Sequence, residues 1–182
     1  NYLTNIYLEL YENEEFDDIE VLFEGAQGFG LDVDWGDYPY VTSSHCTVGS
    51  ALLNGVPPNA IRNTWGVAKI YETYVGAKNF HGKGEVFELI RELGDEFGAT
   101  TGRPRQVNWP DFDLMKMAID INGVNKLVFN KTDVLEEVDK FCLYSGINMF
   151  QFDSSGDMKY WIEEELSSKV QDITFSGNKH AI

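Results

Sequence analysis

The chain has 182 residues, 43% of them hydrophobic and 14% aromatic, enough for one domain with its own apolar core. Its 30 Asp and Glu against 14 Lys and Arg give a formal charge of −16, which argues against a nucleic-acid partner, since that needs a basic face. No apolar run approaches the ~20 residues of a membrane span, so no membrane partner is expected either. Any anion site must be local, because salt screens exposed charges beyond roughly 8–10 Å.

In chain order, Leu3 to Glu15 reads as an amphipathic helix. Ile19-Glu20-Val21-Leu22-Phe23 reads as a short apolar strand that ends at the glycine turn Glu24-Gly25-Ala26-Gln27-Gly28. A loop rich in Gly, Asp and Tyr follows, then a short helix over Val48 to Leu53, stopped at Gly55 and Pro57-Pro58. Trp65 to Val75 is a strand candidate, and Glu85 to Phe97 a helix with Val86, Leu89, Ile90 and Leu93 on one face. Phe112 to Ile121 is helical, with Gly123 placed to end it. Lys126-Leu127-Val128-Phe129 has the apolar run of a buried strand, Lys140 to Tyr144 is strand-like, Met158 to Val170 helical, and Ile173 to Phe175 a last strand. Strands separated by helices predict an α/β fold with a mostly parallel central sheet flanked by helices. Ligands bind such sheets beyond the C-terminal strand ends, where this reading places Glu24–Gly28 and Asn130–Asp133. The start at Asn1, directly before an amphipathic stretch, leads us to expect the C-terminal part of a longer chain or a processed fragment.

The densest chemistry lies in Phe97-Gly98-Ala99-Thr100-Thr101-Gly102-Arg103-Pro104-Arg105. Glycines permit a tight loop, threonines offer hydroxyls, and two arginines provide planar forks that match carboxylate or phosphate. Asn130-Lys131-Thr132-Asp133 is an N-K-x-D motif directly after an apolar strand. An ionised Asp accepts from two parallel N–H groups, as guanine presents and adenine does not. A Lys stem can lie over a purine face, and the Asn can hold the loop; a helix-capping Asp beside a solvated Lys is the plainer meaning of the same residues.

Gln27 is an uncharged donor and acceptor in a turn, and Tyr40-Val41-Thr42-Ser43-Ser44-His45 a hydroxyl cluster able to cradle a phosphate. Each is matched by a plainer role, as a turn residue or a Ser/Thr-rich loop. Asp32, Asp34 and Asp37 lack the glycine and terminal glutamate of a calcium loop, and His45 beside Cys46 is read as structural. Cys46 and Cys142 lie far apart without C-x-x-C spacing, so reduced core thiols are expected. No metal site is expected in these residues.

Taken together, Glu24–Gly28, Tyr38-Pro39-Tyr40-Val41-Thr42-Ser43-Ser44, Thr100–Arg105 and Lys131-Thr132-Asp133 resemble adenylosuccinate synthetase, in that family's order across most of residues 18 to 182. The resemblance implies a P-loop-NTPase-like α/β fold, of which residues 1–182 would be the C-terminal portion of a single domain, the N-terminal part being absent. The family joins L-aspartate to the 6-position of a purine nucleotide, using a nucleoside triphosphate to phosphorylate the 6-oxygen first. On this resemblance Gln27 contacts the purine nucleotide near the reacting oxygen, and Thr42 binds its 5′-phosphate. The loop Ala99, Thr100, Thr101, Gly102, Arg103, Pro104 and Arg105 binds aspartate, with Thr101 and Arg103 toward its carboxylates. Arg103 also lies near the substrate nucleotide, and Arg105 toward the triphosphate donor. Lys131, Thr132 and Asp133 read the donor base, and Thr174, Phe175 and Ser176 close over it. The resemblance further implies Mg2+, GTP or ATP/dATP as co-substrate, a homodimer, and a cytoplasmic location, the host cytoplasm for a phage gene. The family's catalytic Asp and His, its glycine-rich phosphate loop and its magnesium ligands have no counterpart in this sequence, so residues 1–182 alone are expected to be inactive.

The sequence also departs from the family. Where bacterial and eukaryotic members carry T-R-V-G and then G-P-F-P-T-E, this chain has Thr73-Tyr74-Val75-Gly76-Ala77-Lys78-Asn79-Phe80. Its ending, Phe175-Ser176-Gly177-Asn178-Lys179, lacks the usual G-P-D-R. Shortened, divergent members resemble phage enzymes that use deoxyguanylate in place of inosinate, some with an adenine donor. Inosinate use is the alternative. Two further readings are a GTP-binding non-catalytic module, resting on Asn130–Asp133, and half of a split enzyme.

Overall fold

The computed structural model describes residues 20–177. It divides into two compact units, Asn1–Arg62 and Asn63–Ile182, each described by itself. The helix expected over Leu3 to Glu15 lies outside the described residues.

The first unit contains the 3-10 turns Phe29–Leu31 and Pro58–Ala60 and one short helix, α1 (Gly49–Leu53). Over the described part of the expected strand Ile19–Phe23 no strand forms: residues 20–27 are irregular, and Leu22 is 86% exposed. An apolar run becomes a strand only where a neighbour pairs with it, and the described part of this unit contains no strand. Glu24–Gly28 therefore follows no strand end.

Organisation comes instead from Asp32, which is 0% exposed. Its Oδ1 accepts from the backbone N–H of Asp34 (2.9 Å) and Trp35 (3.1 Å), and its Oδ2 from that of Cys46. Burial pushes this carboxyl up, but the backbone donors and nearby His45 outweigh it and hold it below the ordinary 3.8. Gly36 is required in the same turn, since a Cβ there would meet the Asp32 and Gly30 carbonyl oxygens at 2.6 and 2.7 Å.

The second unit is built on a parallel sheet of β1 (Trp65–Lys69), β4 (Lys126–Asn130) and β7 (Asp172–Phe175), in the order β1-β4-β7. Trp65 aligns with Lys126 and Lys69 with Asn130 on one side of β4; Phe129 aligns with Phe175 on the other. β4 alternates, burying Leu127 and Phe129, and the Phe129 ring stacks on Phe175 with centroids 5.1 Å apart. The expected strand over Trp65 to Val75 is broken at Ile70-Tyr71. Its second part, β2 (Glu72–Tyr74), pairs antiparallel with β3 (Gln106–Asn108) in a separate sheet.

Helices α2 (Glu85–Leu93), α3 (Phe112–Asn122), α4 (Thr132–Val138) and α5 (Ser155–Leu166) bury apolar stripes. In α5 the stripe is Met158, Ile162 and Leu166, spaced by four. In α2 it is Phe87 and Ile90, flanked by Val86 and Leu93, while Leu89 points outward. The expectation that Leu89 shares the buried face is corrected: the helix is rotated to bury Phe87, whose ring meets Trp109 at 5.0 Å. α3 starts where Asp111 Oδ1 accepts from Asp113 N and Leu114 N, and stops at Gly123, whose φ of +60° fits a left-handed helix end. An antiparallel hairpin, β5 (Phe141–Ser145) and β6 (Asn148–Phe152), turns at Gly146-Ile147.

Candidate functional site

The Thr100–Arg105 loop leaves α2 and returns on β3, and backbone bonds pin its neck. Gly98 N–H donates to Arg103 O at 2.9 Å, Gly102 N–H to Gly98 O at 2.7 Å, and Arg105 N–H to Glu96 O at 2.9 Å. Gly102 turns the tip at φ +62°. Ala99, Thr100, Thr101, Gly102, Arg103 and Pro104 are all exposed. Thr101 Oγ1 accepts from Arg103 N at 3.3 Å, and the Arg103 guanidinium makes no ion pair with the described residues.

Arg105 is different. Its NH1 donates to Glu96 Oε2 at 2.9 Å, and its carbonyl accepts from Arg91 Nε at 2.7 Å. Glu96 is 1% exposed. Its Oε2 also takes Lys69 Nζ at 2.7 Å, and its Oε1 takes the Tyr71 hydroxyl at 2.8 Å. Burial would raise the Glu96 carboxyl, but Lys69, Tyr71 and Arg105 together hold it below the ordinary 4.5. Burial likewise draws the Lys69 ammonium below its usual value, against the pull of Glu96, and raises the Tyr71 phenol. One carboxylate against two cations leaves this cluster net positive within an acidic chain.

The sequence reading missed Glu96, Lys69 and Tyr71. The available signal was Lys69 itself, a charge ending an otherwise apolar strand, which needs a counter-charge when half-buried.

The N-K-x-D motif follows β4, as expected, but its second half opens helix α4 rather than a loop. Asn130 is the last strand residue, Lys131 takes a left-handed turn (φ +64°, ψ +25°), and Thr132 begins the helix, buried. Lys131 Nζ donates to Gly94 O at 2.6 Å, at the end of α2. The ammonium is thus anchored. Asn130 Oδ1 is a buried acceptor with no partner in the structure. Asp133 is exposed at the first turn of α4.

Parallel pairing of β4 and β7 carries Thr174, Phe175 and Ser176 to the same end. Ser176 N–H donates to Phe129 O at 2.7 Å, and Thr132 N–H to Ser176 O at 3.3 Å. A Cβ on Gly177 would sit 3.2 Å from Asp133 N. The two segments expected to share the donor base are therefore neighbours. Gln27 and Thr42 belong to the first unit. Gln27 is exposed with φ +67°, a region that a glutamine rarely enters. Thr42 N–H donates to Leu31 O at 2.8 Å, and its hydroxyl lies 3.4 Å from that of Ser44.

For a metal, the described residues offer Asp32, Asp34 and His45, with ligand atoms within 4.8 Å of one another. Both Asp32 oxygens already accept backbone N–H bonds, and His45 Nδ1 lies 3.1 Å from Asp34. This set does not fit Mg2+, which takes octahedral oxygen ligands and several waters. Both cysteines are free, but only Cys142 is a core thiol; Cys46 is half-buried. No helix among the described residues is long and apolar enough to cross a membrane.

Comparison with known proteins bears on the family. A family model for adenylosuccinate synthetase matches residues 1–164. The chain is similar to the adenylosuccinate synthetase of Salinibacter ruber, 48% identical over 158 residues that cover 85% of this chain and 35% of that protein. It is also similar to that of Deinococcus radiodurans, 44% identical over 135 residues, 70% of this chain and 33% of that protein. The chain thus spans about a third of the length of these curated relatives. Among solved structures, a fully ligated adenylosuccinate synthetase from Plasmodium falciparum superposes with a TM-score of 0.81 at 25% identity, over 96% of this chain and 50% of that one. The succinoaminodeoxyadenylate synthetase of cyanophage S-2L, solved with dGMP and dATP, shares the fold at a TM-score of 0.61 and 20% identity, over 85% of this chain and 43% of that one. With its α/β architecture, its parallel sheet and these matches, the chain belongs to the adenylosuccinate synthetase family.

Proposed function

We propose that residues 1–182 carry the aspartate-binding and donor-base-binding part of a carbon–nitrogen ligase. The reaction joins L-aspartate to the 6-position of a 6-oxopurine nucleotide. The donor's terminal phosphoryl group passes to the 6-oxygen, and the aspartate amine then forms the C–N bond as phosphate leaves. The observation that carries this reading is the meeting of Thr132-Asp133 with Ser176-Gly177 at the ends of β4 and β7, tied by Lys131 Nζ to the root of the Arg103 loop. Two motifs far apart in sequence share one frame there.

In this reading Thr101 and the unpaired Arg103 fork take the aspartate carboxylates, with Ala99, Thr100, Gly102 and Pro104 shaping the loop. Arg103 also reaches the substrate nucleotide, and Arg105 the donor phosphates. Lys131 covers the donor base, Asp133 reads its edge, and Thr174, Phe175 and Ser176 close over it. Gln27 donates to charge developing on the 6-oxygen, and Thr42 holds the 5′-phosphate. Asp133 as an acceptor favours GTP over ATP or dATP, because adenine leaves it unpaired, at about 1–3 kcal/mol. Mg2+ is expected from the family, but the residues described here do not fit it, and no step is assigned to it. No G-x-x-x-x-G-K-[ST] phosphate loop occurs in residues 1–182, so activity needs a further segment, in the same chain or supplied separately. A cytoplasmic homodimer completes the proposal.

The relatives' name supports inosinate as the substrate; Tyr74, in place of the family's Arg, supports deoxyguanylate. The test is aspartate-dependent phosphate release by the complete gene product, with each nucleotide and with GTP, ATP and dATP. Faster turnover of one nucleotide identifies the substrate. Equal use of the three donors would remove the role of Asp133. Nucleotide binding with no aspartate dependence would replace the ligase with a non-catalytic GTP-binding module.

A further inference from the structure

Arg105 is held at three points, and each traces to a residue outside the loop. Its N–H donates to Glu96 O at 2.9 Å, its guanidinium to Glu96 Oε2 at 2.9 Å, and its carbonyl accepts from Arg91 Nε at 2.7 Å. Glu96 is itself fixed on both oxygens, by Tyr71 on Oε1 and by Lys69 on Oε2. Lys69 has a further partner in Thr73 Oγ1 at 3.0 Å. Lys69, the last residue of β1, and Tyr71, two residues on, reach the same carboxylate. A buried carboxylate holding two cations and a hydroxyl is constrained, so Arg105 NH1 is committed to it while the Arg105 side chain stays 34% exposed.

We infer that Glu96 is a positioning residue, which orients the Arg105 fork toward an anionic group and is kept in place by Tyr71 and Lys69. A free arginine samples many rotamers, and fixing it beforehand removes that entropy loss from the binding step. The anion it serves is the polyphosphate of the donor, so this inference rests on the role proposed above for Arg105. Glu96 is 1% exposed, and its carboxylate is taken by Lys69, Tyr71 and Arg105. Its influence passes entirely through Arg105.

The experiment compares Glu96→Gln, Tyr71→Phe, Arg105→Ala and the double variant Glu96→Gln/Arg105→Ala in the complete gene product. KM is measured for donor, aspartate and nucleotide, alongside urea unfolding. Glu96→Gln should raise the donor KM about tenfold, the loss of one charge-assisted bond, with aspartate and nucleotide KM unchanged. Tyr71→Phe, which keeps the ring and the fold, should raise the same constant by a smaller factor. The double variant should match Arg105→Ala alone, because the effect travels through that side chain. If Arg105→Ala leaves the donor KM unchanged, the donor role of Arg105 fails, whatever Glu96 does. If Arg105→Ala raises it while Glu96→Gln and Tyr71→Phe do not, the positioning role is overturned and Glu96 is structural only. Should Glu96→Gln not fold, Tyr71→Phe decides alone, a raised donor KM supporting the positioning role and an unchanged one overturning it.

Discussion

The loop Phe97–Arg105 and the turn Asn130–Asp133 both present polar groups at the edge of one unit, but they are held by different forces. The first is anchored through charge: a buried Glu96 grips Arg105, Lys69 and Tyr71. The second is anchored through the backbone, by Thr132 N–H on Ser176 O, Ser176 N–H on Phe129 O, and the stacked pair Phe129 and Phe175. Charge anchoring leaves a region sensitive to pH and to removal of one partner. Backbone anchoring leaves it sensitive to volume. Even within the loop the contrast recurs: Arg105 is committed to Glu96, while Arg103, two residues earlier, is exposed and makes no ion pair with the described residues.

The sharpest way to break the comparison is Glu96→Ala. It strands two cations around a vacated site and should destabilise the protein by about 3 kcal/mol, at the low end for a broken buried pair because Lys69 and Arg105 reach water. Asp133→Ala, at the exposed end of the other region, should move stability by under about 0.5 kcal/mol. Urea midpoints at neutral pH measure both.

Volume tests the second region. Gly177→Ala places a methyl 3.2 Å from Asp133 N and Thr132 Oγ1, and should cost about 1 kcal/mol by overpacking. Its read-out is the urea midpoint together with the donor KM, and an unchanged pair would show that Gly177 has room to move.

The two signs of pH dependence then separate charge from packing. The Glu96 carboxyl is depressed in the folded state, so its contribution is present above 4.5 and is lost as pH falls through its lower folded value. Glu72 runs the opposite way. Burial raises it to about 7, although the Asp111 N–H at 3.0 Å and Lys78 pull it down. The folded state then holds its proton more tightly than the unfolded chain, and stability falls as pH rises from 4.5 to about 7. Glu96→Gln should flatten the acid limb of a melting-temperature profile, and Glu72→Gln the limb approaching neutrality. The smallest effect belongs to Lys131→Asn. Asn accepts the left-handed turn more readily but loses the bond to Gly94, so stability should change by under about 0.5 kcal/mol while donor discrimination weakens.

Much of this was legible in the residues. Hydrophobic runs marked β1, β4, β5 and β7, periodicity marked α2, α3 and α5, and the Arg103 loop and N-K-x-D motif stood out by residue type. What escaped was what depends on partners. The run at Ile19–Phe23 has the composition of a strand but no described neighbour, and β6 gives no alternation because Asn148 to Gln151 are all exposed. The hairpin it forms was signalled only by Gly146-Ile147, a two-residue turn with glycine first. α4 is hidden by its own motif, since Thr132 and Asp133 point to chemistry while Val134 and Leu135, with the partly buried Val138, form the apolar stripe. Glu96 could not be found by inspection, because a lone glutamate after a helix usually lies in solvent. The likeness among Glu24–Gly28, Tyr38–Ser44, Thr100–Arg105 and Lys131–Asp133 reached the family.

The 2.6 Å bond from Lys131 Nζ to Gly94 O has a thermodynamic corollary. Gly94 lies two residues before Glu96, whose carbonyl accepts from Arg105 N–H at the neck of the Thr100–Arg105 loop, so a donor that draws on Lys131 acts on the segment from which the Arg103 loop hangs. Any free energy by which one ligand alters this segment must return, with equal magnitude, in the affinity of the other. Titrating a non-hydrolysable donor with and without aspartate, then aspartate with and without the donor, gives two ratios that linkage requires to be equal. Lys131→Met, which cuts the tether, should bring both toward one.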